Sequence, residues 1–355
     1  MSATASKDAS VLPGVLVGVP VGIPVGIGAC LMGKPVRFNG SHKKGSDALT
    51  ALAGFFEFRH FCPEVAIGLG VPREPIRLVG PAGEFVEQMQ LRAVDSATGT
   101  HDVSAALRIY GERIGHEQDD LCGYILVKGS PSCGLERVKR YSENKTDNNG
   151  EMIKGVSQPA NAVGLFAEAL MRANPLLPLE EDGRLHDDHL RESFVSRVFT
   201  YFQWRQLNQQ GLTHHTLAKF YSRHKYLVMS RHVPTYQALG KLLADAKREP
   251  LDQLAPQVIT LILDALKRPA TRQGHANVLE HIRGYLKRRI SAEEKSELGA
   301  VIEQYRTGIV PLIAPLTLLK HFFRRYPDAY IEQQLFMQPP FIYMQGERLG
   351  LRNAI

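Results

Sequence analysis

The alternation of strand-like and helix-like segments in the first half of the chain constrains its fold more than any other feature. Short apolar runs that end in turn residues predict strands at residues 23–29, 56–62, 76–79 and 123–127. Apolar residues at helical spacing predict helices near residues 47–55, 103–115 and 159–173. Strands that alternate with helices favour a parallel sheet covered by helices. The first half therefore predicts an α/β domain with a Rossmann-like sheet.

The second half shows no strand pattern and predicts an all-α C-terminal domain. Thr213 precedes a run with apolar residues at helical spacing and is a candidate N-cap. Ser291 and Glu294 have the spacing of a capping box ahead of Leu298. The sequence has no repeat of fixed period, so these signals indicate separate helices and not a solenoid.

The net charge changes sign between the two halves. Residues 1–190 carry a net charge of −4 and residues 191–355 a net charge of +11, and an acidic passage at 180–188 lies at the change. The basic half suits a polyanion such as RNA, although a solvated basic surface without a partner fits the composition equally well. The predicted organisation is a flexible N-terminal tail (1–20), the α/β domain (21–178), a linker (179–190), the helical domain (191–340) and a C-terminal tail (341–355).

The cysteine count and the N-terminal residues indicate in which cellular compartment the protein is expected. Four cysteines in 355 residues are too few for a disulfide scaffold, so we expect a reducing, cytoplasmic environment. Residues 11–29 carry no charge, but Pro13, Pro20 and Pro24 interrupt the run and argue against a membrane helix. The same prolines argue against a lipoprotein signal ahead of Cys30. We therefore expect no association with a membrane.

Three of the four cysteines share a position in the pattern. Cys30, Cys62 and Cys133 each follow a predicted strand and lie among turn-forming residues. The carboxyl ends of parallel strands form the sheet edge where ligands bind, so three thiols there could hold a metal centre. No spacing is the CxxC of a zinc or ferredoxin site, and three ordinary buried cysteines are an equal alternative. Cys122 opens an apolar strand and is interpreted as core packing.

Four sequence blocks in the first half resemble the thiouracil desulfidase (TudS) family. They are GACLMGKPVRFNG (28–40), CPE (62–64), GLGVPREPIRL (68–78) and KGSPSCG (128–134). The resemblance implies an oxygen-sensitive [4Fe-4S] cluster on Cys30, Cys62 and Cys133. It also implies hydrolytic, non-redox removal of sulfur from thiouracil. Because hydrolysis changes no oxidation state, no nicotinamide cofactor is expected.

The second half resembles the YbgA-type helical domain over residues 190–340. The similarity lies in FYSRHKYLVMS (220–230), GHANV (274–278) and PLIAPL (311–316). Proteins that join the two domains resemble desulfidases that convert 4-thiouridine in tRNA to uridine, with the helical domain holding the RNA. The resemblance thus implies tRNA containing 4-thiouridine as the partner and leaves the oligomeric state open.

Polar residues beside the cysteines are candidates for the chemistry. Glu64, two residues from Cys62, is the candidate general base for water or a proton relay. Ser130 is the candidate catalytic hydroxyl, and Ser132 the candidate turn-former that could also contact the base. No Gly-x-Ser-x-Gly elbow surrounds Ser130, which argues against a serine hydrolase. Basic residues that could bind a phosphate or the uracil carbonyl, or could equally pair with carboxylates, are Arg37, Arg73, Arg77 and Lys128.

The helical half supplies candidates for RNA contact. Tyr226 and Tyr285 could stack on a base, although aromatic residues at helical spacing more often pack in a core. His224, His275 and His281 lack the spacing of metal ligands and are interpreted as core or RNA-contacting residues. The basic candidates for phosphate contact are Arg223, Lys225, Arg231, Arg272, Arg283, Lys287, Arg288 and Arg289.

Three other functions fit the sequence. The same chemistry could act on free thiouracil or thiouridine nucleotides, with the helical domain serving oligomerisation or regulation. A cluster could instead act as a sensor that controls RNA binding without catalysis. A zinc hydrolase is the third alternative, and a content of iron and sulfide would exclude it.

Overall fold

The computed structural model describes residues 22–338 except residues 44–45, 84–85, 148, 150–151 and 247–248. The predicted tails (1–20 and 341–355) lie outside the described residues. The strands are β1 (Ile23–Gly28), β2 (Phe56–Phe61), β3 (Ile76–Gly80), β4 (Arg92–Asp95), β5 (Tyr124–Leu126), β6 (Val138–Ser142), β7 (Lys145–Thr146), β8 (Met152–Ile153), β9 (Ser157–Ala162) and β10 (Leu179–Glu181). The helices are α1 (Asp47–Leu52), α2 (Pro63–Ala66), α3 (Ser104–Glu117), α4 (Leu165–Ala173), α5 (Asp188–Gln209), α6 (His214–Arg231), α7 (Val233–Ala244), α8 (Leu251–Leu266), α9 (Arg272–Arg283), α10 (Ala292–Thr307), α11 (Ile313–Arg325) and α12 (Ala329–Glu332).

Four parallel strands form the central sheet, in the order β10-β5-β1-β2. Ile23 of β1 pairs with Phe56 of β2, and Gly26 pairs with Tyr124 of β5. Side chains alternate between faces along a strand, so Phe56 and Tyr124 lie on opposite faces of the sheet. Position 26 requires glycine, because a Cβ atom there would lie 2.3 Å from the Tyr124 ring.

Helices cover both faces of this sheet. Phe194 of α5 packs edge-on against Phe56, with ring centroids 6.2 Å apart. On the other face, Phe166 of α4 lies 5.7 Å from Tyr124 and 5.6 Å from Tyr110 of α3. The prediction of an α/β domain with a parallel sheet is confirmed, and α5 belongs to its layers as well as to the helical half.

A second, mixed sheet lies beside the first, in the order β4-β3-β6-β9. Strand β3 runs parallel to β6, and the two outer pairs are antiparallel. Leu78, Leu91 and Val138 are buried in its own small core. Arg140 of β6 is 1% exposed, and its guanidinium donates hydrogen bonds to the side chain of Asn161 at 3.0 Å and to a loop carbonyl at 3.2 Å. The guanidinium thus ties the outer strand β9 to the loop after β3.

The C-terminal half consists of helices with α6 at its centre, in contact with α7, α8 and α9. Thr213 and Ser291 form capping boxes at the starts of α6 and α10. Trp204 of α5 packs against Phe220 of α6, with ring centroids 5.6 Å apart. The buried residues of the central sheet and of the helices therefore form one continuous core. The prediction of an all-α C-terminal domain is confirmed.

No helix among the described residues combines the length and the apolar character that a membrane crossing requires.

The linker predicted at 179–190 is wrong, because this passage begins with a strand of the central sheet. Leu179–Glu181 pairs in parallel with β5. Glu180 is 4% exposed and accepts a hydrogen bond from Arg197 of α5 at 3.3 Å. Glu181 is 2% exposed and accepts from the backbone N–H of Leu135 at 2.8 Å. Glu180 and Glu181 are buried hydrogen-bond acceptors and not part of a solvated connection.

The helix predicted at 159–173 is only partly correct. It begins at Leu165, and Ser157–Ala162 forms the edge strand β9. Pairing with β6 decides the conformation of this segment. Pro159 is tolerated because an edge strand leaves one row of N–H groups without a ladder partner.

Candidate metal centre

The three predicted thiols lie at the carboxyl edge of the central sheet, one after each of the adjacent strands β5, β1 and β2. Cys30 lies in the 3-10 turn Ala29–Met32 that directly follows β1. Cys62 directly follows β2 and precedes α2, where Pro63 opens the helix. Cys133 lies in the turn after β5. Adjacent parallel strands end at the same edge of the sheet, so the topology brings together three cysteines that are distant in sequence.

One cavity of about 260 Å³ is lined by all three of these cysteines. Cys133 is buried, whereas Cys30 and Cys62 are half-buried at the cavity wall. Cys122 does not line the cavity, is 1% exposed, and its thiol donates to the carbonyl of Asp120 at 3.4 Å. Burial raises the pKa of the Cys122 thiol to about 12. This placement agrees with the interpretation of Cys122 as core packing.

Burial also raises the pKa of each cavity thiol above its ordinary value of 9.0, and that of Cys133 well above it. After burial, the next cause for Cys30 is the charge of Cys62, and the next cause for Cys133 is the carboxylate of Glu64. The thiols are therefore neutral near pH 7, and binding of a metal requires them to release protons.

Glu64 is held at the cavity by two buried partners. The Arg73 guanidinium donates to one carboxylate oxygen from Nε at 2.8 Å and from Nη2 at 2.7 Å. The Ser132 hydroxyl donates to the other oxygen at 2.7 Å. Arg73 also donates to the carbonyls of Val36 and Gly70, and its side chain is only 6% exposed. Arg73 lines the cavity, but these internal bonds engage its guanidinium, so its place in the structure is to orient Glu64. Its contact with a substrate stays a prediction.

The two serines beside Cys133 have the reverse of their expected roles in hydrogen bonding. The Ser130 hydroxyl oxygen accepts from the backbone N–H groups of Ser132 at 3.3 Å and Cys133 at 3.1 Å, as a turn-former does. Ser132 is fully buried and makes the bond to Glu64. The two hydroxyls also lie 3.0 Å apart. A proton can thus pass along a chain from Ser130 through Ser132 to the carboxylate.

Basic side chains complete the cavity, although not all of the predicted ones reach it. Arg37 and Lys128 line the cavity together with the three thiols. Arg77 does not, because it lies on β3 of the second sheet, where its guanidinium donates to the side chain of Asn144 at 2.6 Å. We missed Asp182, which accepts from the Lys128 backbone N–H at 2.8 Å and pairs with Lys43 at 2.6 Å. Its only signal in the sequence is the acidic passage at 180–188, which by composition resembles a linker.

The donor set fits a cluster better than a single ion. Within the described residues, no three His, Cys, Asp or Glu side chains converge as the ligands of one metal ion do. A zinc ion would hold its sulfur ligands about 2.3 Å from the metal and therefore about 4 Å from one another. In an iron–sulfur cluster each thiolate binds a different iron, so three thiols around one cavity can lie farther apart. Soft thiolate donors also suit iron and sulfide.

The candidates for RNA contact in the helical half divide into exposed and buried residues. Arg231 is wrong as a surface contact, because its side chain is 1% exposed and pairs with Glu192 of α5. Arg223 and Lys225 are half-buried on α6, and Arg283 and Arg289 pair with Glu280 and Asp328. The exposed candidates are Arg272, which also donates to the Tyr305 carbonyl at 2.9 Å, Lys287, Arg288 and the paired Arg289.

The aromatic and imidazole candidates divide in the same way. Tyr226 is 3% exposed, whereas Tyr285 is 39% exposed. His224 is fully buried, and its ring lies 4.2 Å from that of Phe220. His275 bonds the Tyr305 hydroxyl at 2.7 Å, and His281 is exposed. Of the two tyrosines predicted to stack on a base, Tyr285 is therefore the one that lies at the surface.

Fold and site together define a class of protein: an α/β domain that presents three thiols and an oriented carboxylate at one sheet edge, joined to a basic helical domain. Residues 25–182 match the family model described as 2-thiouracil desulfurase. Residues 225–340 match the family model described as a protein of unknown function, DUF1722. The chain therefore joins a domain of the 2-thiouracil desulfurase family to a YbgA-type domain and belongs with the YbgA relatives described next.

Individual relatives cover one half each. YbgA of Escherichia coli (strain K12), described as uncharacterised, is 34% identical over 148 residues, which are 41% of this chain and 88% of YbgA. YbbK of Bacillus subtilis (strain 168), also described as uncharacterised, is 29% identical over 109 residues, which are 30% of this chain and 71% of YbbK. A solved structure described as the [4Fe-4S]-dependent thiouracil desulfidase TudS is 30% identical and covers 46% of this chain and 93% of its own, with a TM-score of 0.33. The resemblance found in the sequence blocks is confirmed.

Proposed function

We propose that this protein is an iron–sulfur-dependent desulfidase that converts 4-thiouridine in tRNA to uridine, with a [4Fe-4S] cluster on Cys30, Cys62 and Cys133. The observation that carries the proposal is the convergence of these thiols on one cavity beside Glu64. The match of residues 25–182 to the 2-thiouracil desulfurase family supports the same chemistry.

The reaction exchanges the sulfur at C4 of the base for the oxygen of water and releases sulfide, without a change of oxidation state. A cluster held by Cys30, Cys62 and Cys133 would supply an iron site that accepts a soft sulfur donor. Glu64 lines the cavity, and its carboxylate accepts a proton from the attacking water and returns it to the sulfur that leaves as hydrogen sulfide. Arg73 and Ser132 hold the two carboxylate oxygens and so fix the direction from which the proton is taken.

The basic half supports RNA as the form of the substrate. Residues 191–355 carry a net charge of +11, and Arg272, Lys287 and Arg288 are exposed. Cationic side chains on a surface neutralise phosphates and release counterions, which gives binding that weakens steeply with salt. The thiolated base would have to leave its stack to enter a cavity at a sheet edge.

The cofactor is tested by metal analysis of single cysteine variants. We expect about four iron atoms per chain, with matching acid-labile sulfide, in the anaerobically purified protein. Cys30→Ala, Cys62→Ala and Cys133→Ala lose most of the iron, while Cys122→Ala, the matched control outside the cavity, keeps it. Zinc in place of iron, or equal iron in all four variants, contradicts the assignment of the ligands.

The substrate is tested with the iron-loaded protein on two thiolated compounds. We expect loss of 4-thiouridine and an equal gain of uridine in digested tRNA, with no turnover by Cys133→Ala. Consumption of free thiouracil with intact tRNA would instead assign the enzyme to small molecules. If the loaded protein consumes neither while its RNA affinity changes with the cluster state, the sensor function replaces the proposal.

A further inference from the structure

The helical half contains a second cavity, of about 930 Å³, that shares no lining residue with the thiol cavity. It lies between α6 and α7 and is closed on one side by two tyrosines from later in the chain. We call it the tyrosine–lysine pocket. Its lining residues are Tyr221, Ser222, Lys225, Tyr236, Gln237, Gly240, Lys241, Ala244, Tyr285 and Tyr330.

The pocket presents a flat aromatic surface. Tyr285 and Tyr330 are stacked, with ring centroids 5.8 Å apart and an interplanar angle of 20°. Tyr285 is 39% exposed, so part of its ring is open to solvent. A stacked pair with one open face is a platform on which a further planar ring can continue the stack.

The charge of the pocket is positive. The Lys225 ammonium lies 5.7 Å from the centre of the Tyr236 ring and 6.0 Å from that of Tyr330. Lys241 lies one turn after Gln237 on α7 and is exposed. Among the described residues, no Asp or Glu lines the cavity and no carboxylate forms an ion pair with either lysine. A planar ligand here therefore meets an uncompensated positive charge.

We propose that the tyrosine–lysine pocket binds one unpaired nucleotide of an RNA strand, with its base on Tyr285 and its phosphate at Lys225 and Lys241. This inference rests on the proposed function, in which the helical half holds the RNA substrate. Stacking combined with cationic contact is how proteins bind unpaired strands without reading sequence. A cavity of this size accommodates one nucleotide, within the ~300–1,000 Å³ range of ligand pockets, so duplex RNA, whose bases are already stacked, does not use it.

The test measures binding of labelled tRNA by the iron-loaded full chain, with a matched control for each substitution. Tyr285→Ala weakens binding by about 5- to 150-fold, while Tyr285→Phe, which keeps the ring, stays near wild type. Lys225→Gln weakens binding and lowers the salt slope by about one. Lys219→Gln removes the same charge from an exposed position on the same helix outside the pocket. This control should leave the affinity for tRNA and its salt slope unchanged. Iron content and the thermal midpoint identify any variant that fails to fold.

The outcomes separate this inference from the proposed function. If the wild type binds and desulfurates tRNA but all four variants bind it equally well, the pocket assignment is overturned and the proposed function stands. If Tyr285→Ala weakens the binding of duplex RNA as much as the binding of an unpaired oligonucleotide, the pocket is not a site for an unpaired nucleotide. Saturation of the pocket by uridine monophosphate, with tRNA binding unaffected by the substitutions, assigns it to free nucleotides and also overturns the inference. If the wild type itself does not bind tRNA, the proposed RNA substrate is refuted first.

Discussion

Glu180→Gln should destabilise the protein strongly, because it leaves a buried arginine without its counter-charge. Glu180 and Arg197 have side chains only 5% and 8% exposed, and they join strand β10 to helix α5. Burial lowers the pKa of Arg197, but a guanidinium stays protonated in proteins, so Arg197 keeps its charge. Removing one partner of a buried ion pair costs about 3–5 kcal/mol. One amide oxygen at position 180 can still accept a hydrogen bond, and Arg184 keeps its ion pair with Glu136. We therefore expect the lower end, about 3 kcal/mol.

Glu117→Gln is the matched control. Glu117 pairs with Arg113 one turn away on α3, and both side chains are more than half exposed. Exposed pairs at this spacing contribute about 0.3–0.5 kcal/mol, so this substitution should be nearly silent. Because both variants replace Glu by Gln, the difference between their free energies of unfolding reports the effect of burial.

The assay is urea unfolding followed by the fluorescence of Trp204, the single tryptophan of the chain, which lies on α5 with Arg197. The shift of the midpoint at constant slope gives the change in free energy of unfolding. Glu180→Gln combined with Arg197→Met should recover most of the loss, since no charge is then left buried. The reasoning is refuted if Glu180→Gln lies within about 0.5 kcal/mol of Glu117→Gln.

Three further predictions concern the site, the central sheet and helix α6. Glu64→Gln should slow desulfuration by about 10²- to 10⁴-fold with the iron content unchanged, measured in single turnover; an unchanged rate removes Glu64 from the chemistry. Gly26→Ala should cost about 1–3 kcal/mol because the new Cβ meets the Tyr124 ring, whereas Gly284→Ala, with open space around it, should not. Burial lowers the pKa of His224 to about 4, below its ordinary 6.5, so the stability it contributes is present above about pH 6.5 and is lost as the pH falls toward 4. Between about pH 7 and pH 5 this loss is about 2 kcal/mol, and His224→Phe should remove it from the pH dependence of urea unfolding; an unchanged dependence would show that His224 is not the group.

Local patterns were sufficient where the feature depends on the chain near it. The apolar runs before Cys30, Cys62 and Cys133 were correctly predicted as strands, and parallel pairing then brings the cysteines to one edge. The capping box at Ser291 was likewise visible, because both of its partners lie within one turn. Fold class and the convergence of the thiols followed from these signals.

Features that depend on a distant partner could not be predicted in the same way. Glu180 resembled a linker residue because Arg197, which pairs with it, lies on another element. Arg231 resembled a surface cation because nothing near it in sequence indicates Glu192. Acidic and basic residues are usually exposed, and burial of an ion pair between elements overrides that tendency.

The roles of the serines and tyrosines were set by geometry that the sequence does not contain. Ser130 and Ser132 are chemically identical, and only the direction of the turn gives Ser132 the bond to Glu64. Tyr226 and Tyr285 were equal candidates for stacking, and the packing around α6 buries the first and exposes the second.

A single-turnover experiment tests the central claim most directly. Anaerobic, iron-loaded protein in excess over tRNA containing 4-thiouridine is sampled over time for 4-thiouridine, uridine and sulfide. Cys133→Ala serves as the inactive control and Cys122→Ala as the active one. The proposed function predicts equal amounts of 4-thiouridine lost, uridine gained and sulfide released, without an added electron donor. Loss of 4-thiouridine without uridine, or the same loss in Cys133→Ala, would contradict a desulfidase that works through the three-thiol site.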